Sequence, residues 1–314
     1  MNIDQLAGVP PVPARATGVE AAVTSDGVSI ALMGIDGCGK TTLAGQLRRT
    51  LADAGLEVVD PGLNAALSRT GLPAGYPRSS LELLALEAWR LFYAGGTVHG
   101  RPAEEAVSAA FASSGIAKMG EGLPSGPPGV RQPGIVVSAL IEFAGHYLLR
   151  AELIQPALLR GAVCVSDGFP LKNVVRTLRL AQRMPDPPMP PGTLDTLVDA
   201  VRASYGDAYL QPEIGILLDA DPELAYRWRV SQTGRVEPGA DLSVTGRTGP
   251  ESYLRFQAAM ADEYRAAARE WGWYVLPVDG RPQRQTVAEA VDIVLNHPRI
   301  RRRIAAVAAA DPDS

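Results

Sequence analysis

The octapeptide Gly34-Ile35-Asp36-Gly37-Cys38-Gly39-Lys40-Thr41 limits what this chain can fold into more than any other feature. Two glycines precede Lys and Thr at the spacing of a phosphate-binding loop, and the flanks match what such a loop needs. Val28 to Met33 is a short, mostly apolar run that reads as a buried strand. A helix is predicted from Lys40 to about Ala54, stopped by Gly55. Glycines let backbone N–H groups turn inward around a phosphate, and the helix N-terminus adds positive potential there. In such a loop Lys40 reaches the β- and γ-phosphates of ATP, and Thr41 offers a hydroxyl to Mg²⁺. Thr42 is placed to touch the α-phosphate. Gly34, Asp36, Gly37, Cys38, Gly39, Lys40, Thr41 and Thr42 are therefore the candidate ATP-site residues, with Cys38 read as a small packing side chain.

Beyond the loop, strands and helices alternate. Further strands are predicted at Leu56 to Val59, Ala162 to Ser166, Glu213 to Leu218 and Trp273 to Val278. Helices are predicted over about 80–94, 103–114 and 135–159, with Pro156 bending the last. Others are predicted over 170–183, from Pro222 onward, over 250–271 and over 285–296. This order predicts an α/β fold, a central parallel five-stranded sheet with helices on both faces.

Pro and Gly total 58 of the 314 residues, and 20 of them fall within 61–137. That concentration marks 61–137 as an insertion in one domain spanning 28–298. Residues 1–27 are expected to be a flexible lead-in, and 299–314, with Arg301-Arg302-Arg303, a solvated tail. The Gly/Pro stretch 115–134 exceeds the usual length of an ordered loop. A net charge of −4 is too mild to point to nucleic acid or a membrane. No apolar run near 18 residues stands out, so no membrane span is expected. Two cysteines suit a reducing, cytoplasmic setting.

Two further places carry candidate chemistry. Asp167 ends the Ala162 to Ser166 strand, where it can hold Mg²⁺ or accept a proton from an attacking group. Arg227, Arg229 and Arg235 follow Asp221-Pro222, and arginine is suited to spreading charge over a transferring phosphoryl group. The Gly-, Ser- and Thr-rich stretch 231–250 has a lid's composition.

With these residues in view, the sequence resembles the thymidylate kinase family of nucleoside monophosphate kinases. The resemblance rests on Gly34 to Leu43, on Ile154-Gln155-Pro156-Ala157-Leu158 through Asp167, and on Pro212 to Leu224. It covers roughly 28–60 and 138–298. It implies ATP- and Mg²⁺-dependent phosphoryl transfer to a small-molecule acceptor, with Lys40, Asp167 and a lid arginine as catalytic groups. It also implies a homodimer. The loop has no basic residue at Cys38, which resembles the subtype whose catalytic arginine comes from the lid.

The departures from the family fall on the acceptor side. Gly168 follows Asp167 where the family has Arg. Glu142, Gly145 and His146 occupy the positions of the family's base-stacking Phe and its Asp-Arg pair. The acceptor is therefore expected to differ from dTMP. Asp36, Asp60, Glu142, His146, Phe169, Lys172 and Arg176 are the candidate acceptor residues, with Lys172, Arg176 and Arg179 on one helix face. Two alternatives stand beside this reading. One is a genuine thymidylate kinase. The other is a regulatory nucleotide-binding protein that has lost catalysis, for which Gly168 is the argument.

Overall fold

The structure is a computed structural model that describes residues 26–68, 77–98, 100–119, 123, 133–236 and 239–310. Almost all of the 1–27 lead-in and most of 115–134 lie outside the described residues.

Its centre is the five-stranded parallel sheet expected from the alternation. The strands are β1 (Val28–Met33), β2 (Val58–Val59), β5 (Val163–Ser166), β6 (Ile214–Ala220) and β7 (Tyr274–Val278). They lie in the order β2-β5-β1-β6-β7, all pairs parallel. All six residues of β1 are buried, so both faces of the sheet are covered there. This is why β1 reads as an almost continuous apolar run. The chain leaves β1 toward one side, through β2 and β5, and later continues on the other, through β6 and β7. The carboxyl end of β1 is thus the switch point where ligands bind in open α/β sheets.

Around the sheet run α1 (Lys40–Asp53), α5 (Pro133–Leu149), α6 (Gln155–Leu159) and α7 (Leu171–Gln182). They are joined by α9 (Pro222–Thr233), α10 (Pro250–Glu270) and α11 (Gln283–Asn296). Asp221 caps α9 by accepting from the amides of Glu223 (2.8 Å) and Leu224 (3.0 Å), with Pro222 at the first helical position.

The described part of the insertion is largely helical. It contains α2 (Leu63–Ser68), α3 (Arg78–Phe92), a two-strand hairpin of β3 (Thr97–Val98) and β4 (Arg101–Pro102), and α4 (Ala103–Met119). Gly115 interrupts α4 with a left-handed φ of 68°, where the sequence pattern also ends. α3 lies along α5, and Ser138 Oγ donates to the Ala88 carbonyl at 2.6 Å.

Two expectations are corrected, and one helix that the sequence reading did not include appears between them. First, 299–310 is not a solvated tail: α12 (Pro298–Ala310) packs on the domain with Ile300 fully buried and Ile304 and Val307 against the core. Arg299 fixes its start, donating to the Gly27 carbonyl (3.0 Å) and pairing with Glu213 (3.2 Å). The stretch after Pro185 returns to helix as α8 (Pro191–Gly206), with Leu194, Val198, Val201 and Tyr205 buried. Second, Gly134–Leu159 is long and apolar enough to cross a membrane by length and composition. Its apolar side, with Ile135, Val136 and Ala139 buried, belongs instead to the domain's own core.

That same stretch is not one α-helix. Between α5 and α6 lies a π-helical turn, Arg150–Ile154. Pro156 has no N–H to give and its ring crowds the carbonyl four residues back, so the preceding turn widens.

Candidate functional site

The site is built on the turn from β1 to α1. Gly34 and Gly37 hold φ of 147° and 86°, a region other residues rarely enter. A Cβ on Gly37 would lie 2.4 Å from the Ala225 carbonyl oxygen and 3.2 Å from Arg229 Cβ. The loop can therefore touch the first turns of α9 only because residue 37 has no side chain. Gly37→Ala is expected to cost about 1–3 kcal/mol of stability from backbone strain, measured by denaturant titration.

Lys40 is 9% exposed. Its ammonium lies within the loop, donating to the carbonyls of Gly34 (2.9 Å) and Ile35 (2.7 Å), with Cys38 Sγ at 3.5 Å. Thr41 Oγ1 donates to Asp167 Oδ2 at 3.2 Å. The hydroxyl at the start of α1 and the carboxylate beyond β5 thus converge at the carboxyl end of the sheet. Thr42 is exposed one position further along α1.

Asp36 is the electrostatic centre of the loop. It is 4% exposed, and its carboxylate is held by Lys172 Nζ and, at 2.9 Å, by Arg176 Nη1. Its backbone is fixed as well: the amide donates to Gln257 Oε1 at 3.2 Å, and the Tyr253 hydroxyl donates to its carbonyl. Burial alone would raise its pKa, but Lys172, Arg176 and Lys40 together hold it far below the usual carboxylate range. Burial pulls Lys172 down to about 8 against the attraction of Asp36, with Lys40 and Arg176 adding repulsion. Lys172, Arg176 and Lys40 thus share Asp36 as their close carboxylate, with Glu142 also acting on Lys172 and Arg176.

The other acceptor-side residues have structural partners. Arg179 pairs with Asp195 and Glu263, both at 2.5 Å, and so does not join Lys172 and Arg176. Asp60 pairs with Arg48 (2.6 Å) and accepts from the Gly62 amide (2.9 Å). Phe169 is buried against Tyr205, Trp271 and Trp273, with ring centroids 5.3, 5.8 and 5.0 Å away. Burial raises the pKa of Glu142, opposed by Arg176, an Asn173 hydrogen bond and Lys172. Burial pushes His146 down to about 3, so its ring is neutral. Its 3.9 Å approach to Glu142 is therefore no ion pair, and its Nδ1 lies 2.5 Å from the Tyr205 hydroxyl.

The three lid arginines separate. Arg229 lies on the face of α9 that meets Gly37. Arg227 is exposed. Arg235 Nη1 donates at 3.2 Å to the carbonyl of Leu123, within the insertion.

A cleft of about 330 Å³, including the part open to solvent, on the α11 side of the loop went unrecognised in the sequence. Gly39, Trp228, Arg281, Gln283 and Thr286 line it. These residues come from the loop, α9, the turn after β7 and the start of α11. No local motif joins them, so only the fold brings them together.

No protein-family model matches the chain, and no curated protein sequence does. Among solved structures, the chain is similar to thymidylate kinase from Ehrlichia chaffeensis (TM-score 0.40, 14% identity, 85% of this chain and 98% of that chain). It is similar to deoxyadenosine kinase from M. mycoides with bound dCTP (TM-score 0.39, 14% identity, with the same two coverages). A likeness this distant adds nothing to what the sheet order and the turn geometry establish: a central parallel five-stranded α/β sheet with a glycine-bearing turn at its switch point.

Proposed function

We propose that the chain is an ATP- and Mg²⁺-dependent phosphotransferase whose acceptor is a small molecule other than dTMP. One observation carries the reading: Lys40 inside the loop stands beside a Thr41 hydroxyl and an Asp167 carboxylate converging at the end of the sheet. A hydroxyl and a carboxylate suit Mg²⁺, which keeps several waters and takes its remaining oxygens from substrate phosphates. Mg²⁺ would supply neutralisation of phosphate charge.

The chain's own groups have distinct tasks in this reading. The backbone of Gly37 and Gly39 and the start of α1 face the phosphates. Lys40 stabilises charge on the γ-phosphoryl oxygens. Arg229, on the face of α9 that meets Gly37, would add a second positive charge beside them. Asp36, locked by Lys172 and Arg176, ties α7 to the loop. Trp228, Arg281 and Gln283 offer an aromatic face and hydrogen-bonding groups to the purine.

Binding tests the metal part of this reading. A non-hydrolysable ATP analogue is titrated with and without Mg²⁺. Mg²⁺ is expected to tighten binding in the parent chain, and this gain is expected to fall at least about tenfold in Asp167→Asn, roughly the second-shell or ligand effect on metal affinity. An unchanged Mg²⁺ gain would remove Asp167 from the site.

The lid arginines give a second test. Arg229→Ala is expected to slow transfer by roughly 10²–10³-fold, as for loss of one preorganised charge-stabilising donor. Arg227→Ala, which alters an exposed position, is expected to stay within about threefold. Steady-state ADP release measures both. The reverse ranking would mean that the wrong arginine has been identified.

A further inference from the structure

A second cleft lies on the opposite side of the phosphate loop, between the sheet and the π-helical turn. It encloses about 600 Å³, including the part open to solvent. Its floor is one sheet face. Ser29 and Ala31 of β1 stand in register with Cys164 and Ser166 of β5. Its lining is mainly apolar, with Leu149, Ile154 and Phe169 among the contributors.

One charge faces this apolar space. Arg150 lines the cleft and is 8% exposed. Its Nε meets no hydrogen-bond partner. Among the described residues, Glu213 is the carboxylate that acts on it, but only from a distance. Glu213 is itself engaged by the Ser29 amide (2.7 Å) and hydroxyl and by Arg299 (3.2 Å). What Arg150 does contact is the ring of Tyr209, whose centroid lies 5.3 Å from Cζ. Burial outweighs these attractions and lowers its pKa. A buried guanidinium without a close carboxylate is costly to keep. It occurs here at the first residue of the π-helical turn.

We infer that this cleft is a binding site for a small, predominantly apolar monocarboxylate, whose carboxylate pairs with Arg150. The guanidinium fork matches a carboxylate edge with two parallel N–H···O bonds. One buried cation balances one negative charge, whereas a phosphate dianion would leave excess charge in an apolar pocket. The nearby polar groups do not change that balance. His146 is neutral, and Lys172 and Arg176 are turned to Asp36. The inference does not depend on phosphoryl transfer.

Isothermal titration of the full chain with phenylacetate and hexanoate, against phenylacetamide and hexanamide, tests it. The acids are expected to bind at least tenfold more tightly than their amides. Arg150→Met is expected to weaken acid binding at least tenfold without lowering the melting temperature, because it removes an unpaired buried charge. Arg150→Lys, which keeps the charge but loses the fork, should fall between. Equal binding of acid and amide, no binding of either acid, or full acid binding by Arg150→Met overturns the proposal. The acid–amide comparison on the unaltered chain decides the matter even if Arg150→Met fails to fold.

Discussion

Lys40→Ala is expected to lower phosphoryl transfer by roughly 10³-fold, the upper range for removing one preorganised donor from a site that excludes water. The ammonium is the loop's only side-chain cation, and it lies within the ring of loop backbone. Its loss removes charge stabilisation that grows as negative charge develops on the transferring group. The effect should therefore fall more on kcat than on the affinity for ATP. Two carbonyls, those of Gly34 and Ile35, also lose their donor, so some weakening of binding should accompany it. Lys40→Arg should not restore activity, because a planar guanidinium cannot occupy the compact position of the ammonium. Comparison of kcat and KM across the parent and both variants measures this. A fall in affinity with kcat unchanged would make Lys40 a binding residue only.

Asp36→Asn is expected to destabilise the fold by about 3–5 kcal/mol, the usual cost of removing one member of a buried ion pair. It leaves Lys172 and Arg176 facing each other without the carboxylate that both contact. The pH dependence gives the sign of the effect. Asp36 has a depressed folded-state pKa, so its contribution is fully present above the unfolded value of about 4. It is lost as the pH falls toward the folded value. The gap between parent and variant should therefore narrow in acid. Lys172, already held down at about 8, adds a gain in the same direction at higher pH. Between about pH 8 and 10 the unfolded chain binds the proton that the folded chain releases, so stability gains with pH there. Removing Asp36 should move that gain to lower pH. Urea titrations at several pH values read both trends. A loss under about 1 kcal/mol at pH 7 would show the three side chains to be effectively solvated.

The sequence revealed the fold where its signals were local. Each sheet strand is a short apolar run bounded by Gly, Pro or Asp, and β1 with its loop is one contiguous motif. The elements it missed had mixed local signals. α8 begins inside a Pro cluster that reads as loop, although Leu194, Val198 and Val201 keep a helical spacing. α12 carries three consecutive arginines and many alanines. Its apolar stripe, Ile300, Ile304 and Val307, has four- and three-residue spacing that was legible but outweighed by charge.

Within the site, sequence identified residue types better than partnerships. Lys172 and Arg176 were recognised as a basic face, but their partner Asp36 lies more than 130 positions earlier. Only the approach of α7 to the loop unites them. Arg150 gave no signal at all, because a single arginine in a long helix reads as a surface residue. The π-helical turn and the cleft beneath it make it unusual.

The most direct test of the central claim is transfer of the labelled γ-phosphate of ATP, with Mg²⁺, to a panel of dTMP, other nucleoside monophosphates, nucleosides, sugars and hydroxy acids. The account predicts a labelled product from an acceptor other than dTMP, lost in both Lys40→Ala and Asp167→Asn. Strong transfer to dTMP above all others would contradict the acceptor reading. Tight ATP binding with no label transferred to any acceptor would contradict the phosphotransferase itself.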